Sequence, residues 1–133
     1  MKVVLSDPKT GKSWQVDLPK EKVSLLSGKK VGEQLEGDLV GAPGYVFELT
    51  GGSDGSGFQM RKDISGSRKE NTLLSKGVGF NAKRKGIRKR KTVRGNTYSS
   101  DIIQVNAKVV QLGTVSLDEL FGKKEEKKPE EKK

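Results

Sequence analysis

Ile102-Ile103-Gln104-Val105-Asn106-Ala107-Lys108-Val109-Val110-Gln111-Leu112 is the most regular run in the chain. Its period is two. Ile103, Val105, Ala107 and Val109 are expected on one face and Gln104, Asn106 and Lys108 on the other, the pattern of a β-strand with one covered side. The same period recurs outward from it. Tyr45, Phe47 and Leu49 alternate with Val46, Glu48 and Thr50, and that strand is expected to end at Gly51-Gly52. Near the start, Val3 and Leu5, the turn residues Asp7-Pro8-Lys9-Thr10-Gly11, and then Trp14, Val16 and Leu18 read as a hairpin. Shorter strands are expected near Glu33 to Leu35, at Asn71 to Ser75 and at Lys91 to Gly95.

Two segments depart from that period. Lys20 to Leu26 follows Pro19 and precedes Gly28, which predicts a short helix with Val23, Leu26 and Leu25 turned inward. Ser116-Leu117-Asp118-Glu119-Leu120-Phe121-Gly122 places Ser116 and Glu119 at capping-box spacing before a glycine stop, which predicts one or two further helical turns. The chain is therefore read as mainly β, a small six- to seven-stranded barrel-like body with one or two short helices. Residues 1–122 are expected to form this single domain. Residues 123–133 hold only Lys, Glu and one Pro, so nothing there can be buried and a disordered tail is expected.

Composition removes most chemistry. Among 133 residues there is no His and no Cys, so neither imidazole- nor thiol-based catalysis, nor a Cys/His zinc site, nor a disulfide can be built. No cofactor, metal or small-molecule substrate is expected. The amino-terminal residues turn polar before an apolar signal region develops, and no apolar run is long enough to span a bilayer, which points to a protein of the cell interior with no membrane partner.

The net charge of +10 is concentrated rather than spread. Residues 61–95 carry thirteen Lys and Arg against two acids, whereas the flanking segments are balanced to within one charge. From Lys76 to Gly95 there are nine cations and no acid: Lys76, Lys83, Arg84, Lys85, Arg88, Lys89, Arg90, Lys91 and Arg94. Such a run repels itself unless a polyanion neutralises it and releases condensed counterions, and nucleic acid is the simplest such partner. Gly77, Gly79, Gly86 and Gly95 interrupt the run, so an extended basic loop is expected rather than a continuous basic helix. Phe80, alone among small and basic residues, either anchors that loop or stacks on a base.

Leu49-Thr50-Gly51-Gly52-Ser53-Asp54-Gly55-Ser56-Gly57-Phe58-Gln59-Met60 invites comparison with phosphate-cradling loops, but no Lys-Ser/Thr pair follows the last glycine and Asp54 would repel phosphate. A calcium loop is also disfavoured, since Asp54 is the segment's one carboxylate. Gly51, Gly52, Asp54, Gly57 and Met60 are expected to shape a tight turn, with Asp54 bonded to local backbone and Phe58 and Met60 docked on the core.

Taken together, the glycine segment and the basic run resemble the small-subunit ribosomal protein S6e family in its short archaeal form. Family members look like Gly-Gly-x-Asp-x-x-Gly-Phe-Pro-Met, here residues 51–60, and continue through Leu73-Leu74-Ser75-Lys76-Gly77 and an Arg-Lys-Arg-Lys-Thr-Val-Arg-Gly run, here 88–95. Gln59 stands where the family usually has Pro. The resemblance implies a structural component of the cytoplasmic small ribosomal subunit, with small-subunit ribosomal RNA and neighbouring ribosomal proteins as partners. The nine cations named above are then the expected phosphate contacts, with Arg61 and Arg68 behind them. Two other readings compete: a carboxylate enzyme, which would need Asp54, Asp63 and Asp101 gathered together, and a free-standing DNA or chromatin protein, which shares the charge logic.

Overall fold

The computed structural model describes residues 1–121; the tail expected at 123–133 lies outside the described residues. Its elements in chain order are β1 (Lys2–Ser6), β2 (Ser13–Asp17), α1 (Lys20–Leu26), β3 (Gln34–Glu36), a 3-10 turn (Gly37–Val40), β4 (Val46–Asp54), β5 (Lys69–Leu74), β6 (Lys89–Arg94), β7 (Ile102–Gln111) and α2 (Leu117–Phe121). Five strands make one sheet in the order β2-β1-β7-β4-β3, and β5 and β6 form a separate two-stranded ladder. The period-two run β7 is central, parallel to β1 and antiparallel to β4.

Register explains why one face is apolar. Trp14, Leu5, Ala107 and Leu49 lie in one row across four strands, and Val16, Val3, Val105 and Gly52 in the next. Leu35, Phe47 and Val109 make a third. Every side chain in these rows is buried, and Leu18, Leu26, Val40, Ala42, Met60, Tyr98 and Leu117 cover them to close the core. Each such Val, Leu or Phe contributes about 1.5–3 kcal/mol by leaving water, so the shared face dominates stability. Tyr45 and Phe47 stack with centroids 5.8 Å apart, and the Tyr45 hydroxyl donates to the Val115 carbonyl at 2.6 Å.

Five expectations are corrected. The sheet is open, with β2 and β3 at its edges, so it is not closed into a barrel. Ile103 points outward at 50% exposure while Ile102 is buried at 1%, because the β4–β7 register shifts between Ser53 and Asp54 and reverses the alternation there. β4 does not stop at Gly51-Gly52 but runs on to Asp54. The strand expected from Lys91 starts at Lys89, so Lys89 and Arg90 belong to β6 rather than to the loop, leaving residues 75–88 as the loop itself. In α1, Leu26 is buried and Val23 packs against the core, but Leu25 is exposed.

Candidate nucleic-acid interface

The glycine segment is a seam between the two sheets. Asp54 ends β4, and its Oδ1 accepts from the backbone N–H groups of Ser56 at 3.0 Å and Phe58 at 2.9 Å, folding a turn closed by Gly57 N–H on the Asp54 carbonyl at 3.1 Å. The returning residues lie between β4 and β6: Met60 N–H donates to Gly52 at 2.9 Å, while Gln59 accepts from Arg94 at 2.9 Å and Arg61 N–H donates to Arg94 at 3.0 Å. Met60 is buried in the core. Phe58 is only half-buried, and the ammonium of Lys69 sits 5.2 Å from its ring centroid, so it serves a cation instead of the core. Gly52 meets the backbone of β7 so closely that a Cβ would collide with the Gln104 carbonyl oxygen; Gly51 faces open space.

Arg94 stands apart from the other cations. It is buried, with Nη1 3.6 Å from Asp54 Oδ2, Nη2 donating to Ser99 Oγ at 2.9 Å, and Nη2 3.9 Å from Asp101 Oδ2. Lys69, its direct partner across the β5–β6 ladder, approaches the same Asp54 oxygen at 3.7 Å. One buried carboxylate therefore separates two cations that would otherwise face each other. Of the three acids that an enzyme would need, Asp54 and Asp101 flank a guanidinium and Asp63 pairs with Arg61 at 2.7 Å. Among the described residues no three His, Cys, Asp or Glu side chains gather as a metal site.

Lys76, Lys83, Arg84, Lys85, Arg88, Lys89 and Arg90 are exposed and Lys91 is half-buried. None of these eight forms an ion pair among the described residues, in contrast to Arg61, Arg68, Lys69 and Arg94. In the ladder, Lys89, Lys91 and Val93 share one face with Leu74, and the chain after β5 folds back over it. Gly77 and Phe80 exchange backbone hydrogen bonds at 3.1 and 3.2 Å, forming a tight turn. Gly79, at φ +91°, would bring a Cβ within 2.7 Å of Val93 Cγ1. Two side chains hold this turn to the seam: Arg61 Nη1 donates to the Val78 carbonyl at 2.6 Å, and Gln59 Oε1 accepts from Gly79 N–H at 3.1 Å. Sequence reasoning missed both anchors, since they act across 17 and 20 positions and no local spacing announces them.

Fold and site together define a small basic β protein whose positive charge is gathered on one hairpin and the loop inside it. The chain belongs to the ribosomal protein S6e family, whose model matches residues 1–122. It is 51% identical over 121 residues to the small ribosomal subunit protein eS6 of Methanocaldococcus jannaschii, covering 91% of this chain and 90% of that one. Against the protein of the same name from Archaeoglobus fulgidus the identity is 47% over 126 residues, covering 94% and 98%. For Methanocella arvoryzae it is 45% over 126 residues, covering 95% and 89%.

Proposed function

We propose that this chain is a structural constituent of the small ribosomal subunit in the cytoplasm, not an enzyme, and that it holds ribosomal RNA through the loop 75–88 and the first half of β6. Family membership supports the ribosomal role and answers the enzyme reading. The reading as a free-standing DNA or chromatin protein has charge alone in its favour. Residues 1–122 serve as one RNA-binding body in this proposal, and neighbouring ribosomal proteins are its other partners.

The observation that carries the RNA surface is the split within the cations. Eight of the nine lie exposed or half-buried and form no ion pair among the described residues, and the ninth, Arg94, is spent on Asp54. Arg94 is accordingly assigned to holding β6 in place, while Lys76, Lys83, Arg84, Lys85, Arg88, Lys89, Arg90 and Lys91 meet phosphates. Gly51, Gly52, Asp54, Gly57 and Met60 shape the seam that positions them. Neutralising Arg88, Lys89, Arg90 and Lys91 together to Gln is expected to lower the slope of log affinity against log salt on a small-subunit RNA fragment by about 3. The same variant should keep its melting temperature within a few degrees and fail to comigrate with small subunits in moderate salt. Unchanged affinity and comigration would overturn the assignment.

A further inference from the structure

We propose that Phe80, with Ile87 and the lysines 83, 89 and 91, forms a pocket for one unpaired RNA base and its phosphates, an inference that rests on the RNA-binding reading above. These residues, with Gly79 and Asn81, line a concavity of about 450 Å³. That volume falls in the range of pockets that enclose small ligands. Its composition is not that of a phosphate groove. A phosphate needs cations and backbone N–H groups, whereas here an aromatic ring and a branched aliphatic chain lie among three ammonium groups, and Asn81 adds an amide able to donate and accept. A base stacked on Phe80 with its phosphates on the lysines uses every one of these groups.

The turn that carries Phe80 is also held in advance. Phe80 closes the tight turn with Gly77, and that turn is fixed to the seam by Gln59 and Arg61 and lies against Val93. A stacking residue whose backbone is fixed before binding spares the cost of ordering a loop when the base arrives. A neighbouring concavity shares Lys83 and Ile87, is lined further by Lys76, Arg84 and Lys85, and contains no aromatic side chain. It fits the flanking backbone phosphates. Bases inside an A-form duplex are paired and stacked, so the pocket selects RNA whose base is free to turn out.

The test uses the full chain and two probes, a ten-nucleotide oligouridylate carrying one 5-iodouridine and a blunt ten-base-pair RNA duplex. Irradiation of the wild-type protein with the single strand should crosslink at Phe80, mapped by mass spectrometry. Phe80→Leu keeps an apolar side chain and removes the ring; it should lose about 5- to 150-fold in affinity for the single strand. Its affinity for the duplex and the salt dependence of both probes should stay as they were, and Phe80→Tyr should restore single-strand binding. Crosslinks that avoid Phe80 in the wild type, or equal losses on both probes without rescue by Tyr, would overturn the pocket. Failure of the wild-type chain to bind either probe would instead overturn the RNA-binding reading beneath it.

Discussion

Asp54 Oδ2 lies 3.6 Å from Arg94 Nη1, and this contact joins the last residue of β4 to the last residue of β6. Both side chains are almost fully withdrawn from water, 2% and 6% exposed, and Arg94 Nε makes no hydrogen bond among the described residues. The basic hairpin is thus attached to the main sheet by a buried charge pair and by the backbone hydrogen bonds of residues 59–61 rather than by a shared apolar face.

Removing one partner of such a pair leaves the other charged and dry. Asp54→Ala is expected to cost about 3 kcal/mol in urea unfolding, since it also frees the N–H groups of Ser56 and Phe58. Asp54→Asn, which keeps an acceptor for those two groups, should cost less. Equal stabilities for the wild type and Asp54→Ala would show that the seam stands without the pair.

The adjacent glycines should separate sharply. Gly52→Ala must move the β7 backbone away from the new Cβ, and a loss of about 2 kcal/mol is expected. Gly51→Ala has free space around it and should stay within about 0.5 kcal/mol of the wild type. Thermal melts of the two single variants decide the matter.

Tyr98 supplies an alkaline limit. Its hydroxyl donates to the Gly51 carbonyl at 2.7 Å, and burial pushes its pKa well above the usual phenol value. The raised value means that the unfolded chain gives up this proton first as pH climbs through about 10, so stability is complete below that point and declines above it. Tyr98→Phe should lose about 1 kcal/mol at neutral pH and show a shallower decline between pH 10 and 12. An identical alkaline slope in both proteins would refute the assignment.

Gln59→Ala should loosen the turn without unfolding the body. Gly79 N–H loses its acceptor on the seam, and its hydrogen exchange is expected to accelerate about fivefold, the effect of one modest hydrogen bond. Amides of β7 should exchange at unchanged rates. No acceleration at Gly79 would mean that Arg61 and Val93 suffice to hold the turn.

Much of the fold was legible because it rests on period two. The inward sets Val3 and Leu5, Trp14 and Val16, Phe47 and Leu49, and Val105, Ala107 and Val109 follow from alternation alone, while the register that aligns them into rows does not; α1 is bounded by Pro19 and Gly28 as expected. Ile103 is misplaced by alternation because it is the extra residue of β7 between the pairs Ser53–Gln104 and Asp54–Ile102, and a bulge depends on the partner strand. The strand through Gly51-Gly52 was cut short for a related reason: glycine there marks close approach of another backbone, which single-sequence reading takes as a turn. For the site, charge density marked out the basic hairpin and its loop but could not separate Arg94 from Lys91. The alternation in β6 puts Arg94 on the face away from Val93, yet only the arrival of Asp54 from β4 explains its burial. Asn81 and the partial burial of Phe80 became informative once the turn over Lys89 and Lys91 was seen.

The parallel pairing of Val3 with Val105 and Leu5 with Ala107 places strands from opposite ends of the described chain side by side. During synthesis β1 and β2 emerge about a hundred residues before β7, a wait of about 5–20 s at ordinary elongation rates. An isolated two-stranded hairpin is marginal in water, so for that interval Val3, Leu5, Trp14 and Val16 have no sheet to join. The nascent chain therefore carries these apolar side chains uncovered until β7 emerges, and that interval makes it a client for holding chaperones.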